Sequence, residues 1–195
     1  MEFNNPMGGV FDGPVTNAQV DKNGRLIKVA LFVDGVNMFY AQKKLGWHLD
    51  YKRILHYFVP NPDNLYNAFY FTGVQNPTES KEENFLNALT MMSYTVRRKT
   101  VKIIFDMDSG EEVRKANLDI EMVVDMFNTA ENYDKAIIFS GDSDFERALE
   151  LLRTKGKEII VVSTRGMVAI ELINAADKYY DLQYLREDFE KLPGT

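Results

Sequence analysis

The sequence predicts an α/β fold: a mainly parallel sheet with helices on both faces. Three observations carry that expectation. Short apolar runs of strand length alternate along the chain with segments of helical periodicity, the pattern of repeated strand-helix units. The 195 residues, 45% of them hydrophobic, suffice to bury one core and are too few for two ordinary domains. No internal repeat and no low-complexity tract breaks the alternation.

Residues 1–25 are rich in Gly, Asn and Pro without sustained periodicity and are expected as an N-terminal tail, in which Asn23-Gly24 is a turn signal able to close a short hairpin. The apolar run 26–33 opens the domain as its first strand. A helix is expected from about Val36 to Leu45, with a short one near Tyr51 to Tyr57. Residues 65–71 read as the second strand. Thr78, followed by Lys81, Glu82 and Glu83, opens a helix ending near Met92, and 94–98 reads as the third strand. Residues 101–107 and 111–116, around a turn at Asp108-Ser109-Gly110, look like a hairpin excursion. A helix from about Leu118 to Ala130 precedes the fourth strand at 135–140. A helix to about Thr154, the fifth strand at 157–163 and a helix from about Val168 to Ala176 follow. The domain is thus expected over 26–185, with 186–195 as a C-terminal tail.

Composition narrows the chemistry. With no cysteine there is neither a disulfide framework nor a thiolate metal site, and only His48 and His56 offer imidazole. Any metal would be held mainly by oxygen, which favours Mg²⁺ or Mn²⁺. The start lacks a basic segment before an apolar core, and no apolar run approaches the roughly 20 residues that span a bilayer. A cytoplasmic protein without membrane contact is expected. A net charge of -6 opposes indiscriminate binding of nucleic acid, so such a partner must meet a local basic surface or bound metal.

Four aspartates stand where such a sheet gathers functional groups, beyond the carboxyl ends of its strands and near the point where strand order reverses. Asp34 follows the first strand and Asp142 follows the fourth by two residues. In the order 3-2-1-4-5 those strands are neighbours. Asp119 lies three residues before Met122 on a helix whose apolar face reads Met122, Val123, Met126, Phe127 and Ala130, so a carboxylate takes an inward position. An inward charge without a partner is expensive, and a cation is a natural explanation. Each of these aspartates also has a plainer alternative as a helix cap or dipole partner. Ser143 and Glu146 have the spacing of a capping box, which would free Asp142, while Asp144 would sit at the first helical position. Asp125 is expected to be solvated, and Asp106 and Asp108 to shape a turn. Clustered carboxylates around a divalent ion suit phosphodiester hydrolysis, in which the ion activates water and neutralises developing charge. Asn37, one helical turn past Asp34, can position a water or phosphate oxygen with its amide, or merely stabilise a turn.

Four fragments in this order, VDGVNMFY (33–40), KANLDIEMVVDM (115–126), SGDSDF (140–145) and INAADKYYDL (173–182), resemble the NYN domain, in particular the LabA-like branch of the PIN-like nuclease superfamily. The resemblance implies a PIN-like three-layer fold in the order 3-2-1-4-5 and Mg²⁺- or Mn²⁺-dependent cleavage of RNA. By position, Asp34 matches the first-strand acid, Asn37 the Asn of a D-x-x-N motif, Asp119 the helix acid, and Asp142 with Asp144 the pair in S-G-D-x-D-F. Asp177 matches a late aspartate of structural role. Relatives often show K-G-x-D before the helix, whereas Lys115 and Asp119 here are separated by one residue more.

Arg97, Arg98 and Lys99, with Lys102, Arg114 and Lys115 on the hairpin beyond, are candidates for a basic rim that grips RNA phosphates, or else a plain solvated surface. Arg165, just after the fifth strand, is placed to contact phosphate. Tyr40, Trp47, Tyr51 and Tyr57 are candidates to stack bases, against the commoner alternative that such aromatics are core. No dinucleotide-binding or P-loop glycine motif is present. A haloacid-dehalogenase reading fails because Val36 stands where its second aspartate belongs, and a Toprim reading wants a glutamate at Asp34. The expectation is therefore a metal-dependent ribonuclease acting on single-stranded RNA, with Asp34, Asp119, Asp142 and Asp144 as metal ligands. The alternative is a non-catalytic RNA-binding or regulatory module that uses the same pocket with a protein partner or a second copy of the chain.

Overall fold

Parity along the strands organises the molecule, a computed structural model describing residues 18–105 and 112–192, with the side chains of 102–105 and 112–115 outside that description. In β1 (Val29–Asp34), Val29, Leu31 and Val33 face one apolar layer while Ala30 and Phe32 face the other. β6 (Lys135–Phe139) and β7 (Glu158–Ser163) divide in the same way, Ile137 and Phe139 against Ile138, and Ile160 and Val162 against Val161. Strands buried on both faces read as continuous apolar runs, which is why these were visible in the sequence.

Two helical layers cover the sheet. On the first face lie α1 (Gly35–Leu45), α2 (Tyr51–Phe58), α3 (Ser80–Met91) and, late in the chain, α7 (Arg186–Phe189), contributing Met38, Ile54, Leu89 and Phe189 to the core. On the second lie α4 (Asp119–Asn128), α5 (Glu146–Thr154) and α6 (Ile170–Ala175), contributing Met122, Leu149 and Leu172. With β2 (Leu65–Val74), β3 (Tyr94–Thr100) and β8 (Lys178–Asp181) the parallel sheet has the order β3-β2-β1-β6-β7-β8. Counted along the sheet alone this is 3-2-1-4-5-6. The expected order holds, and a sixth strand extends it. β8 escaped notice because four residues, KYYD, on a sheet edge carry no apolar run.

β4 (Lys102–Phe105) and β5 (Glu112–Lys115) pair antiparallel as the expected hairpin, and its turn lies outside the described residues with Asp106 and Asp108. Both ends of the domain reach further than the sequence suggested. Val20 bridges to Leu26 around a turn with Gly24 at φ 77°, and buried Asn64 accepts from Gln19 N at 3.0 Å while donating to the carbonyls of Gln19 and Ile27 at 2.7 Å. Residues 18–25 are thus hydrogen-bonded to the domain rather than part of a tail. At the other end Phe189 is fully buried against Phe58 and Phe139, so 186–189 also belongs to the core, since burying an aromatic outweighs the cost of ordering a short helix.

Candidate metal centre and its cleft

β1 pairs with β2 on one side and β6 on the other, so the sheet reverses at β1 and a crevice opens beyond its carboxyl end. Parity directs Asp34 toward the same face as Phe32, the face that α4 covers. Asp34 caps α1, one oxygen accepting from Asn37 N at 3.0 Å, while Oδ2 accepts from Ser140 Oγ at 3.0 Å. Ser140, fully buried at the end of β6, accepts in turn from Asp142 N at 3.3 Å. One hydroxyl therefore ties the first acid to the backbone of the third. Asn37 returns across the crevice, its Oδ1 accepting from Gly141 N at 3.1 Å.

Gly141 has a steric reason to be glycine: a Cβ there would stand 2.0 Å from the carbonyl oxygen of Met167. The loop after β6 is pressed against the loop after β7, and this fixes the direction in which Asp142 and Asp144 leave the sheet. Asp142 accepts from Asp144 N at 3.0 Å and caps the 3-10 turn Ser143–Phe145. The expected Ser143–Glu146 capping box is not formed, because the chain enters α5 through this turn and no side chain caps α5 itself. Capping and display coincide at Asp142, since the cap uses one oxygen and leaves the other.

Asp119 is the first residue of α4, with its backbone N–H held by Asn117 Oδ1 at 2.7 Å. Asp119, Asp142 and Asp144 each offer a carboxylate oxygen, and the three atoms lie within 4.8 Å of one another. Asp34 is not in that trio, but lines the same cleft of about 340 Å³ with Asn37, Asp119, Asp142 and the exposed ring of Tyr40. Burial pushes the pKa of Asp34 up, opposed by the hydrogen bonds from Asn37 and Ser140 and reinforced by repulsion from Asp119 and Asp142. Burial also raises Asp119, with Asp142 and Asp144 adding to the effect. None of the four aspartates joins an ion pair among the described residues. A compact all-oxygen donor set with uncompensated negative charge fits a hard divalent cation such as Mg²⁺ or Mn²⁺.

The three β3 cations of the expected basic rim are paired with acids. Arg97 pairs with Asp125 at 2.7 Å, Arg98 with Glu83 at 3.1 Å, and Lys99 with Glu121 at 2.6 Å. Asp125, expected to be solvated, has only 16% of its side chain exposed, because β3 runs beside α4 and brings Arg97 onto it. The side chains of Lys102, Arg114 and Lys115 lie outside the described residues. Arg165 is exposed beyond β7, in no ion pair among the described residues, and its carbonyl accepts from Lys44 Nζ at 2.6 Å. Of the aromatic candidates, Trp47 and Tyr51 are buried and unable to stack on a ligand; Tyr57 is half-buried against Phe189; Tyr40 is 55% exposed. Asp177 stands at the opposite edge of the sheet, accepting from Ile159 N at 2.8 Å and pairing with Arg153 at 2.9 Å, a structural role. Sequence reasoning passed over Ser140; its one signal was a polar residue closing an otherwise apolar strand just before Gly141-Asp142.

Comparison with known proteins shows the family and the fold. The family model described as the NYN domain matches residues 28–183, which is most of the chain. This chain belongs to the NYN domain family. Within that family it is 51% identical over 166 residues to the Low amplitude and bright protein LabA of Synechococcus elongatus, covering 84% of this chain and 88% of that protein, and is thus an NYN domain of the LabA-like kind. A crystal structure of a protein of unknown function from Vibrio parahaemolyticus superimposes with a TM-score of 0.67 at 21% identity, over 85% of this chain and 96% of that one. That likeness concerns the fold. Among the described residues no helix is long and apolar enough to cross a membrane.

Proposed function

We propose that this NYN domain is a ribonuclease that hydrolyses RNA phosphodiester bonds with the help of Mg²⁺ or Mn²⁺, and that its substrate is single-stranded and cytoplasmic. The observation that carries the reading is the convergence of Asp119, Asp142 and Asp144 beside a cleft that Asp34, Asp119 and Asp142 line. Asp119, Asp142 and Asp144 would hold the ion, with Asp34 as a further ligand. A divalent ion supplies Lewis-acid polarisation of the phosphodiester and lowers the pKa of an attacking water. The chain's own groups do the positioning. Ser140 keeps Asp34 and the Asp142 backbone in register, and Asn37 holds the Gly141 turn against α1.

Labelled single-stranded RNA incubated with Mn²⁺ tests the proposal, comparing the wild type, Asp142→Asn and the wild type in EDTA. Decay in the wild type alone is the expected result, with the variant slower by at least about 100-fold, as for loss of a main electrostatic stabiliser. Equal decay in all three would trace the activity to a contaminant. A second reading, a non-catalytic RNA-binding or regulatory module acting with a protein partner or a second copy of the chain, is favoured by one observation: the cations of β3 are already matched by acids on a chain of net charge -6. No decay with retained RNA or protein binding would support it.

A further inference from the structure

A strand drawn to this cleft meets carboxylates before it meets cations, so its phosphates alone give it little hold. The exposed face of α1 offers another kind. Val36, Phe39, Tyr40 and Lys43 follow one another at helical spacing on the side opposite buried Met38 and Ala41, with Val36, Phe39 and Tyr40 44%, 51% and 55% exposed. Val36 and Tyr40 line the cleft itself, together with Asp34, Asp119 and Asp142. Phe39 and Tyr40 meet edge to face at 5.4 Å, and Lys43 Nζ lies 4.6 Å from the Phe39 ring centre and 5.9 Å from that of Tyr40. An aromatic surface beside an ammonium group thus leads out of the acidic pocket along one helix.

We propose that Tyr40 is the base-stacking residue for the nucleotide beside the scissile phosphate, and that Lys43 meets the next phosphate along the strand. The inference rests on the ribonuclease reading for the position of the reacting phosphate, and adds what selects the substrate. Stacking does not depend on charge, and every base has a face to offer, so it can hold a strand where the local potential is negative. A base paired in a duplex has no face free for Tyr40. The groove on α1 therefore selects unpaired nucleotides, and sequence preference is expected to be weak.

The test is fluorescence anisotropy with a labelled decamer of oligouridine, alone or annealed to oligoadenine, in Ca²⁺, with melting curves to establish that each variant is folded. Tyr40→Ala is expected to weaken binding of the single strand roughly tenfold, Tyr40→Trp to stay within about twofold of wild type, and the duplex to be unaffected by either. Unchanged single-strand binding by Tyr40→Ala would overturn the inference, as would equal losses for strand and duplex, or no binding of the single strand by the wild type. Cleavage of the same decamer in Mn²⁺ separates the two claims. A selective Tyr40 effect on binding without any cleavage keeps the stacking role and sinks the nuclease; cleavage with Tyr40 silent does the reverse.

Discussion

Asp119 is the residue at which the proposed function and stability pull apart. It is folded into a site where burial and the charges of Asp142 and Asp144 disfavour its ionised form. Its folded pKa therefore lies above the unfolded one, so ionising it costs stability: the penalty is absent below about pH 4 and develops as pH rises through the raised value. Asp119→Asn removes it. In EDTA at neutral pH the variant is expected to melt above the wild type, with the gap closing as pH falls toward 4. A variant that melts lower at pH 7, or a gap independent of pH, would contradict the assignment. Gly141 makes the opposite case. A methyl group placed 2.0 Å from the Met167 carbonyl oxygen must displace backbone, and Gly141→Ala is expected to lose about 2–3 kcal/mol in urea unfolding. The places of the four aspartates and Asn37 at the carboxyl edge of the sheet were legible in the sequence, because each stands at a strand end or in the first turn of a helix. The link through Ser140 was not, because it depends on which way a hydroxyl turns between two adjacent strands.

At the scale of elements, strands buried on both faces announced themselves, whereas edges and turns did not. β8 is too short to show a period, and α5 begins through a 3-10 turn whose cap is the acid Asp142, so the capping-box spacing at Ser143 and Glu146 pointed to the wrong residue. The pairing of β3 with α4 could not be read either, since it joins residues that only the fold brings together. Arg97 and Lys99 on β3 hold Asp125 and Glu121 on α4, and Lys99 also donates at 3.3 Å to the carbonyl of Asn117, the residue whose Oδ1 accepts from Asp119 N. These ion pairs act as struts for the helix that presents Asp119. Arg97→Ala, which leaves Asp125 half-buried without its partner, is expected to lower unfolding stability by about 1 kcal/mol. Unchanged stability, measured in urea, would return Arg97 to the set of free cations available to a ligand.

For the whole molecule, net charge and topology set the terms of binding. A chain of charge -6 whose β3 cations are matched internally has few phosphate contacts to give. With Lys43 and Arg165 as the main contacts, affinity for single-stranded RNA is expected to fall with salt at a log-log slope of about -1 to -2. A slope of about -4 or steeper would bring the β3 and hairpin cations into the interface. Everything else depends on the reversal at β1, which brings the turn after β6 opposite α4 and so gathers acids more than 20 residues apart in the chain. The most direct test of that convergence is a titration of the protein with Mn²⁺, read as the loss of the free-ion signal in electron paramagnetic resonance. The wild type is expected to bind Mn²⁺ saturably, and Asp119→Asn, Asp142→Asn and Asp144→Asn each to weaken it by about tenfold or more, while Asp177→Asn leaves it unchanged. A wild type that leaves the free-ion signal intact, or four variants indistinguishable from it, would contradict a shared metal site.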